Sequence, residues 1–94
     1  MNYKCYIISY DLRSPYQNYE ALYKAIKSFS YWGKITESTW AILAENTHNA
    51  TSIRNYLQNY IDKDDRIFVI RSGKEAAWNN TFAEDEWMQK CLII

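Results

Sequence analysis

Residues 5–12 read CYIISYDL, and this run is rich in the β-branched and aromatic residues that favour strands. It predicts a buried first strand over residues 3–12. Asp11 interrupts the apolar run where the strand ends, and a carboxylate at that place costs desolvation free energy unless a partner compensates for it. Three partners remain open: a metal ion, a hydrogen-bonding loop, or the same residue of a second subunit. The identity of this partner determines what the protein does.

Alternation along the strand divides its side chains between two faces of the predicted sheet. One face carries Cys5, Ile7, Ser9 and Asp11, and the other carries Tyr6, Ile8 and Tyr10. If helices cover the second set, the first set lies on an uncovered face that still contains apolar residues. Such a face is a candidate homodimer surface, and a two-fold axis there would bring two copies of Asp11 together.

The rest of the chain predicts two strand-helix-strand units. After the first strand, the pattern predicts a helix over 18–29, a short strand reached through 30–36, a strand over 38–44, a helix from the cap-forming residues 46–49 to near Asp62, and a strand over 66–71. Near the end, Trp87, Met88, Cys91 and Leu92 recur at helical spacing behind an acidic first turn, which predicts a short C-terminal helix.

This order predicts an α+β fold, the ferredoxin-like β-α-β-β-α-β sandwich. In it a four-stranded antiparallel sheet has two helices on one face, here with a short C-terminal helix in addition. The chain of 94 residues has the length of one domain, 1–94, with a core over 3–78 and a C-terminal extension over 79–94.

Charge and cysteine usage restrict the function classes. Eleven basic residues balance eleven acidic residues, so no global positive field attracts nucleic acid, and any such contact must be local or carried by a metal. The two cysteines, Cys5 and Cys91, lack the CxxC spacing and are interpreted as reduced, small apolar residues. No run approaches the length of a membrane span or a secretory signal. We therefore expect a cytoplasmic protein with no membrane contact.

Four motifs in order carry a resemblance to a known family. They are ISYDL at 8–12, NYEAL at 18–22, ESTW at 37–40, and IDKDDR at 61–66 followed by FVI at 68–70. Together they resemble the SinR-like branch of the superfamily of small ferredoxin-like CRISPR-associated endonucleases, the second protein of the adaptation pair. The resemblance covers about residues 3–78. It implies a homodimer in which the first-strand aspartate of each subunit binds one Mg²⁺ ion that activates water against a phosphodiester bond.

Carried over to this chain, the catalytic and metal-binding roles both fall on Asp11. Mg²⁺ commonly takes one or two carboxylates and fills its other positions with water and phosphate oxygens, so two copies of Asp11 would suffice. Arg13 and Ser14 follow directly and are candidate contacts to the substrate phosphate. The plainer alternatives are a capped or hydrogen-bonded Asp11, a solvated Arg13 and a helix-capping Ser14.

Other acids and aromatic residues have mainly structural interpretations. The three carboxylates Asp62, Asp64 and Asp65 lack the glycine and distal glutamate of a calcium loop, and we expect them to pair with Lys63 and Arg66. Glu37 is expected to pair with Arg13 or Arg66. Trp40 and Trp78 are expected in the core or at a dimer rim, with stacking on unpaired bases as the alternative.

Three function classes follow. The first is a Mg²⁺-dependent endonuclease homodimer acting on RNA or DNA through Asp11. The second is a non-catalytic dimeric adaptor that binds nucleic acid or a protein partner through basic residues such as Arg13, Arg54 or Lys74. The third is a toxin-like ribonuclease, a class also found in the superfamily that the chain resembles.

Overall fold

The computed structural model describes residues 2–14, 19–73 and 75–92. Its strands are β1 (Tyr3–Asp11), β2 (Tyr31–Thr36), β3 (Thr39–Glu45) and β4 (Arg66–Arg71), and its helices are α1 (Glu20–Ile26), α2 (Ala50–Gln58) and α3 (Asp85–Leu92). The order is β-α-β-β-α-β followed by a third helix, as the sequence pattern predicts.

The four strands form one antiparallel sheet in the order β2-β3-β1-β4. This arrangement confirms the ferredoxin-like α+β class. β1 is a central strand, so its residues have strand partners on both sides. On the β4 side, Ile7 lies opposite Ile70, Ser9 opposite Phe68 and Asp11 opposite Arg66.

Helices α1 and α2 cover the face of the sheet that carries Tyr6, Ile8 and Tyr10. The buried residues of this core are Tyr6, Ile8, Tyr10, Tyr19, Leu22, Ala25, Ile26, Trp40, Ile42, Ala44, Ile53 and Leu57. Trp40 is 3% exposed, and its indole Nε1 donates to the Tyr10 hydroxyl at 2.9 Å. Both aromatic rings are therefore buried while the polar atom of each has a hydrogen-bond partner.

The opposite face of the sheet is covered only in part, by α3. A second buried cluster consists of Cys5, Ala41, Met88, Cys91 and Leu92. The part of this face formed by β1 and β4 is left without a covering element among the described residues. We call it the open half-face, and it comprises Ser9, Asp11, Arg66, Phe68 and Ile70, whereas Ile7 on the same face packs against the second cluster. Phe68 is 58% exposed and Ile70 is 49% exposed.

Two helix ends differ from the predicted ones. α1 ends at Ile26 rather than near 29, because Ser28 bonds the Ala25 carbonyl through both its amide and its hydroxyl. α2 ends at Gln58 because the Asn59 side chain donates to the carbonyls of Asn55 and Tyr56. The predicted helix start at residue 18 lies outside the described residues. In the part of the chain that the structure describes, no helix is long and apolar enough to cross a membrane.

Candidate active site at the end of the first strand

Asp11 is exposed at the last position of β1, with about half of its side chain accessible. Its Oδ2 accepts a hydrogen bond from Arg66 Nη1 at 2.6 Å and a longer one from Arg13 Nη1 at 3.4 Å. The Arg66 contact is a cross-strand pair, since the two residues are partners in the β1–β4 register. The partner of the carboxylate within the protomer is therefore a pair of arginines.

The arginines stabilise the ionised form of Asp11. The hydrogen bond from Arg66 is the largest influence and lowers the pKa of Asp11; partial desolvation opposes it, and the contact with Arg13 lowers the pKa further. The net result is a pKa below the ordinary value of an aspartate. An exposed carboxylate that stays ionised can bind a cation.

One oxygen of Asp11 remains available for such a ligand. Both arginines bind Oδ2, and among the described residues no hydrogen bond reaches Oδ1. No group of three or more metal-binding side chains comes together in the described ranges. Because Mg²⁺ accepts one or two carboxylates with water and phosphate oxygens, Asp11 fits this ion only as one ligand of a site that a second copy or a substrate completes.

The loop that carries Arg13 and Ser14 is held by Asp65, which lies between α2 and β4. Asp65 Oδ1 accepts from the Arg13 backbone N–H at 2.6 Å and from the Tyr19 hydroxyl at 2.9 Å. The Tyr19 oxygen in turn accepts from the Ser14 N–H at 3.2 Å, and Asp65 Oδ2 accepts from the Asp62 N–H at 2.7 Å. We call these contacts the Asp65 clamp. These contacts fix the backbone of Arg13, and its guanidinium group remains able to move.

The electrostatics of the clamp favour an ionised Asp65. Partial burial raises the pKa of Asp65, but the bonds from the amides of Arg13 and Asp62 and from the Tyr19 hydroxyl together lower it more, so the net pKa lies below the ordinary value. Burial, followed by the bond to Asp65, raises the pKa of Tyr19, which therefore stays a donor.

The expected pairing of the acids at 62–65 is therefore wrong for Asp65, which binds backbone amides rather than Lys63 or Arg66. Across the described ranges, no ion pair joins Asp62 or Asp64 to these bases, because Arg66 turns toward Asp11 instead. Glu37 is exposed, and within the same ranges it pairs with neither arginine.

Arg66, Asp65 and Tyr19 were not among the residues predicted for the site. The sequence does contain a signal for Arg66. In this fold β1 pairs antiparallel with β4, so Asp11 at the end of β1 lies opposite Arg66 at the start of β4. The contact of Asp65 with the Asp62 amide is local, but no local pattern reports its contacts with Tyr19 and Arg13, which lie 46 and 52 residues away.

The aromatic residues divide between core and surface. Trp40 is buried, so the alternative of base stacking by Trp40 is excluded. Trp78 is partly buried, and its Nε1 donates to Asp85 at 3.1 Å. The strongly exposed rings belong to Tyr31, Trp32, Phe68 and Phe82. Only Phe68 of these lies on the open half-face.

The comparisons with known proteins give no family for this chain. No model of a protein family matches it, and no curated protein is significantly similar in sequence. The resemblance to the CRISPR-associated endonucleases therefore stays a hypothesis carried by its motifs.

Proposed function

We propose that this protein is a cytoplasmic, homodimeric, Mg²⁺-dependent endonuclease that hydrolyses phosphodiester bonds of RNA or DNA, with Asp11 of each subunit as the metal ligand and catalytic residue. One observation carries the proposal. Asp11 is an exposed, ionised carboxylate whose Oδ1 takes no hydrogen bond from the residues that the structure describes, and it lies at the end of an apolar half of a sheet face.

The open half-face supports the homodimer. Phe68 and Ile70 expose about half or more of their surface on one face of the sheet, and adjacent exposed apolar residues of this kind mark interaction surfaces. A two-fold contact uses the same patch on both subunits. The proposal requires the axis to pass close to the Asp11–Arg66 pair, so that the two carboxylates share one ion.

The residues around Asp11 fit a phosphate. Bound Mg²⁺ would polarise the phosphodiester and lower the pKa of a coordinated water. Arg13 and Arg66 hold Asp11 Oδ2 through exposed contacts, which are weak and exchangeable. Their guanidinium groups can therefore turn to phosphate oxygens and offset the charge that develops there. Ser14 is held at its backbone by Tyr19, which leaves its hydroxyl as a further donor.

The test is cleavage of end-labelled RNA, single-stranded DNA and duplex DNA by wild type and Asp11→Asn, with Mg²⁺ and with chelator. Asp64→Asn is the matched control. Asp64 is an exposed acid just before β4 in the chain, and it takes no part in the contacts of Asp11. We expect Mg²⁺-dependent cleavage that falls by about 100-fold or more in Asp11→Asn and is unchanged in Asp64→Asn. Absence of cleavage, or equal cleavage by wild type and Asp11→Asn, would refute the nuclease.

A second candidate, a non-catalytic dimeric adaptor for nucleic acid, is favoured by the same arginines. Both arginines already form ion pairs with Asp11. A carboxylate with a purely structural role would be paired in the same way. In an adaptor, Arg66→Gln weakens nucleic-acid binding and reduces its salt dependence, because a phosphate contact is lost. Asp11→Asn leaves binding equal or stronger, because a negative charge is removed. Lys74, another basic residue considered for this role, lies outside the described residues.

A further inference from the structure

The two cysteines of the chain meet between the sheet and α3. Cys5 lies on β1 and Cys91 lies on α3, 86 residues further along, and their Sγ atoms are 2.6 Å apart. They are 3% and 1% exposed. A covalent S–S bond is about 2.05 Å long, so the two sulfurs need to approach by only about half an ångström to be joined. Both are free thiols in this structure.

The thiol pair lies at the centre of the contact that holds α3. Around it, Ala41, Met88 and Leu92 complete the buried cluster. Hydrogen bonds also anchor this region: Ser72 Oγ donates to the Leu92 carbonyl at 3.1 Å, and the Phe82 N–H donates to the Ile35 carbonyl at 3.0 Å. A covalent bond between the sulfurs would therefore add to the apolar packing and the Ser72 hydrogen bond that now hold the helix.

We propose that Cys5 and Cys91 are a modification site, at which a disulfide oxidant of the glutathione class closes an intramolecular disulfide that fastens α3 to the sheet. The pair has no part in the nuclease proposal, so the two stand or fall separately. In a reducing compartment the dithiol form predominates, and the bond forms when the ratio of oxidised to reduced thiols rises.

The chemistry is two successive thiol–disulfide exchanges. One cysteine thiolate attacks the oxidant's disulfide, forms a mixed disulfide with one half and releases the other half as a thiolate. The second cysteine thiolate then attacks the protein sulfur of the mixed disulfide, forms the Cys5–Cys91 bond and releases the second half. The two cysteine protons pass to the released thiolates, and the two electrons reduce the oxidant.

Access to the sulfurs requires α3 to move. The hydrogen bond with Cys91, together with burial, raises the pKa of Cys5, so the packed Cys5 is a protonated and unreactive thiol. Lifting α3 exposes both sulfurs to the oxidant, and its return brings the second thiol to the mixed disulfide. We therefore expect slow oxidation of the folded protein without loss of the fold.

The experiment uses the full-length protein, equilibrated in buffers of oxidised and reduced glutathione. Intact mass after alkylation of free thiols distinguishes the dithiol, the mono-glutathione adduct and the internal disulfide, which is about 2 Da lighter than the unmodified dithiol. We expect a single transition to the internal disulfide, a peptide map that joins the segments of Cys5 and Cys91, and a melting temperature about 10 °C or more higher than that of the reduced protein.

Cys91→Ser supplies the control. It should stop at a mixed disulfide on Cys5 and show no such rise in melting temperature. The proposal is wrong if the wild type accumulates only glutathione adducts or disulfide-linked dimers, or if the internally bridged protein melts no higher than the reduced one. The wild-type mass measurement decides this even if a cysteine variant does not fold.

Discussion

At the scale of single residues, the aspartates Asp11 and Asp65 are held by different kinds of partner. Asp11 binds two exposed guanidinium groups through one oxygen, and its other oxygen has no hydrogen bond within the described ranges, whereas Asp65 binds two backbone amides and a tyrosine hydroxyl. Exposed ion pairs contribute little to stability, while a carboxylate that satisfies amides organises the backbone around it. Asp11 is therefore suited to exchange partners, and Asp65 is suited to hold the loop.

The Asp65 clamp predicts an acid-side loss of stability. The folded pKa of Asp65 lies below its ordinary value of 3.8, so its contribution is complete above that value and is lost as the pH falls through the lower folded pKa. Asp65→Asn should therefore reduce the free energy of unfolding at pH 7 by about 1 kcal/mol, a modest value because the side chain is partly exposed. Urea unfolding of both proteins at pH 7 and pH 2.5 measures this.

The difference between wild type and Asp65→Asn should be smaller at pH 2.5 than at pH 7, because the charge-dependent contribution of Asp65 is lost as the pH falls below 3.8 and through the lower folded pKa. Asp64→Asn serves as the control and should match wild type at both pH values, since Asp64 is exposed. A deficit in Asp65→Asn that is as large at pH 2.5 as at pH 7 would show that the charge of the carboxylate is not what stabilises the loop.

Asp11→Asn should leave the fold intact. The side chain is exposed, and its ion pairs are solvent-accessible, so we expect the melting temperature to change by no more than about 2 °C at neutral pH. Thermal unfolding followed by circular dichroism checks this. A large fall would assign Asp11 a structural role and would remove the basis for reading a loss of cleavage as a catalytic effect.

At the scale of elements, the position of α3 depends on one glycine of β2. A Cβ atom built on Gly33 would lie 2.6 Å from the ring of Trp87 on α3, closer than atoms can pack. Gly33→Ala should therefore displace the ring and destabilise the protein by about 1 to 3 kcal/mol. Gly73→Ala is the matched control, because a Cβ at Gly73 meets nothing within 4 Å.

Chemical denaturation and the near-ultraviolet circular dichroism of the tryptophans measure this effect. We expect Gly73→Ala to stay within about 0.5 kcal/mol of wild type. Equal stability of the two variants would mean that α3 accommodates the methyl group by shifting as a body.

The start of α2 predicts a second local effect. Asn49 Oδ1 accepts from the Ser52 N–H at 2.8 Å, and Ser52 Oγ accepts from the Asn49 N–H at 2.9 Å, which is a reciprocal capping box. Asn49→Ala should cost about 1 kcal/mol, whereas Asn49→Ser keeps a capping oxygen and should cost much less. Thermal or urea unfolding of the pair tests the cap, and equal losses in both variants would contradict it.

At the scale of the whole molecule, α3 divides one sheet face into a covered and an open half. The open half-face ends in the Asp11–Arg66 pair and exposes Phe68 and Ile70. An exposed apolar surface of this kind promotes association, and it lies next to the candidate site.

The dimer proposal predicts that Phe68→Ser weakens self-association without lowering the stability of the protomer, because the ring is already in solvent there. Phe82→Ser is the control. Phe82 is 62% exposed but lies beside β2, at the opposite edge of the sheet from β4. Sedimentation velocity over a range of concentrations should give a dimer for wild type and Phe82→Ser and a monomer for Phe68→Ser. A wild type that stays monomeric would contradict the proposal.

Local sequence pattern was sufficient for the element order and the fold class. Alternation in CYIISYDL identifies the two faces of β1, and helical spacing identifies α1, α2 and α3. These signals are local, because side-chain direction repeats every two or 3.6 residues. Asp11 is identified for the same reason, as an acid that interrupts an apolar pattern.

The surroundings of Asp11 and the place of α3 depend on contacts between distant parts of the chain. Arg66 reaches Asp11 across 55 residues, and Cys91 reaches Cys5 across 86. No periodicity encodes such pairs, since they arise from strand register and from packing α3 on one half of a face. The sequence alone therefore predicts the fold and the acid, whereas folding brings together the arginines, the Asp65 clamp, the thiol pair and the open half-face.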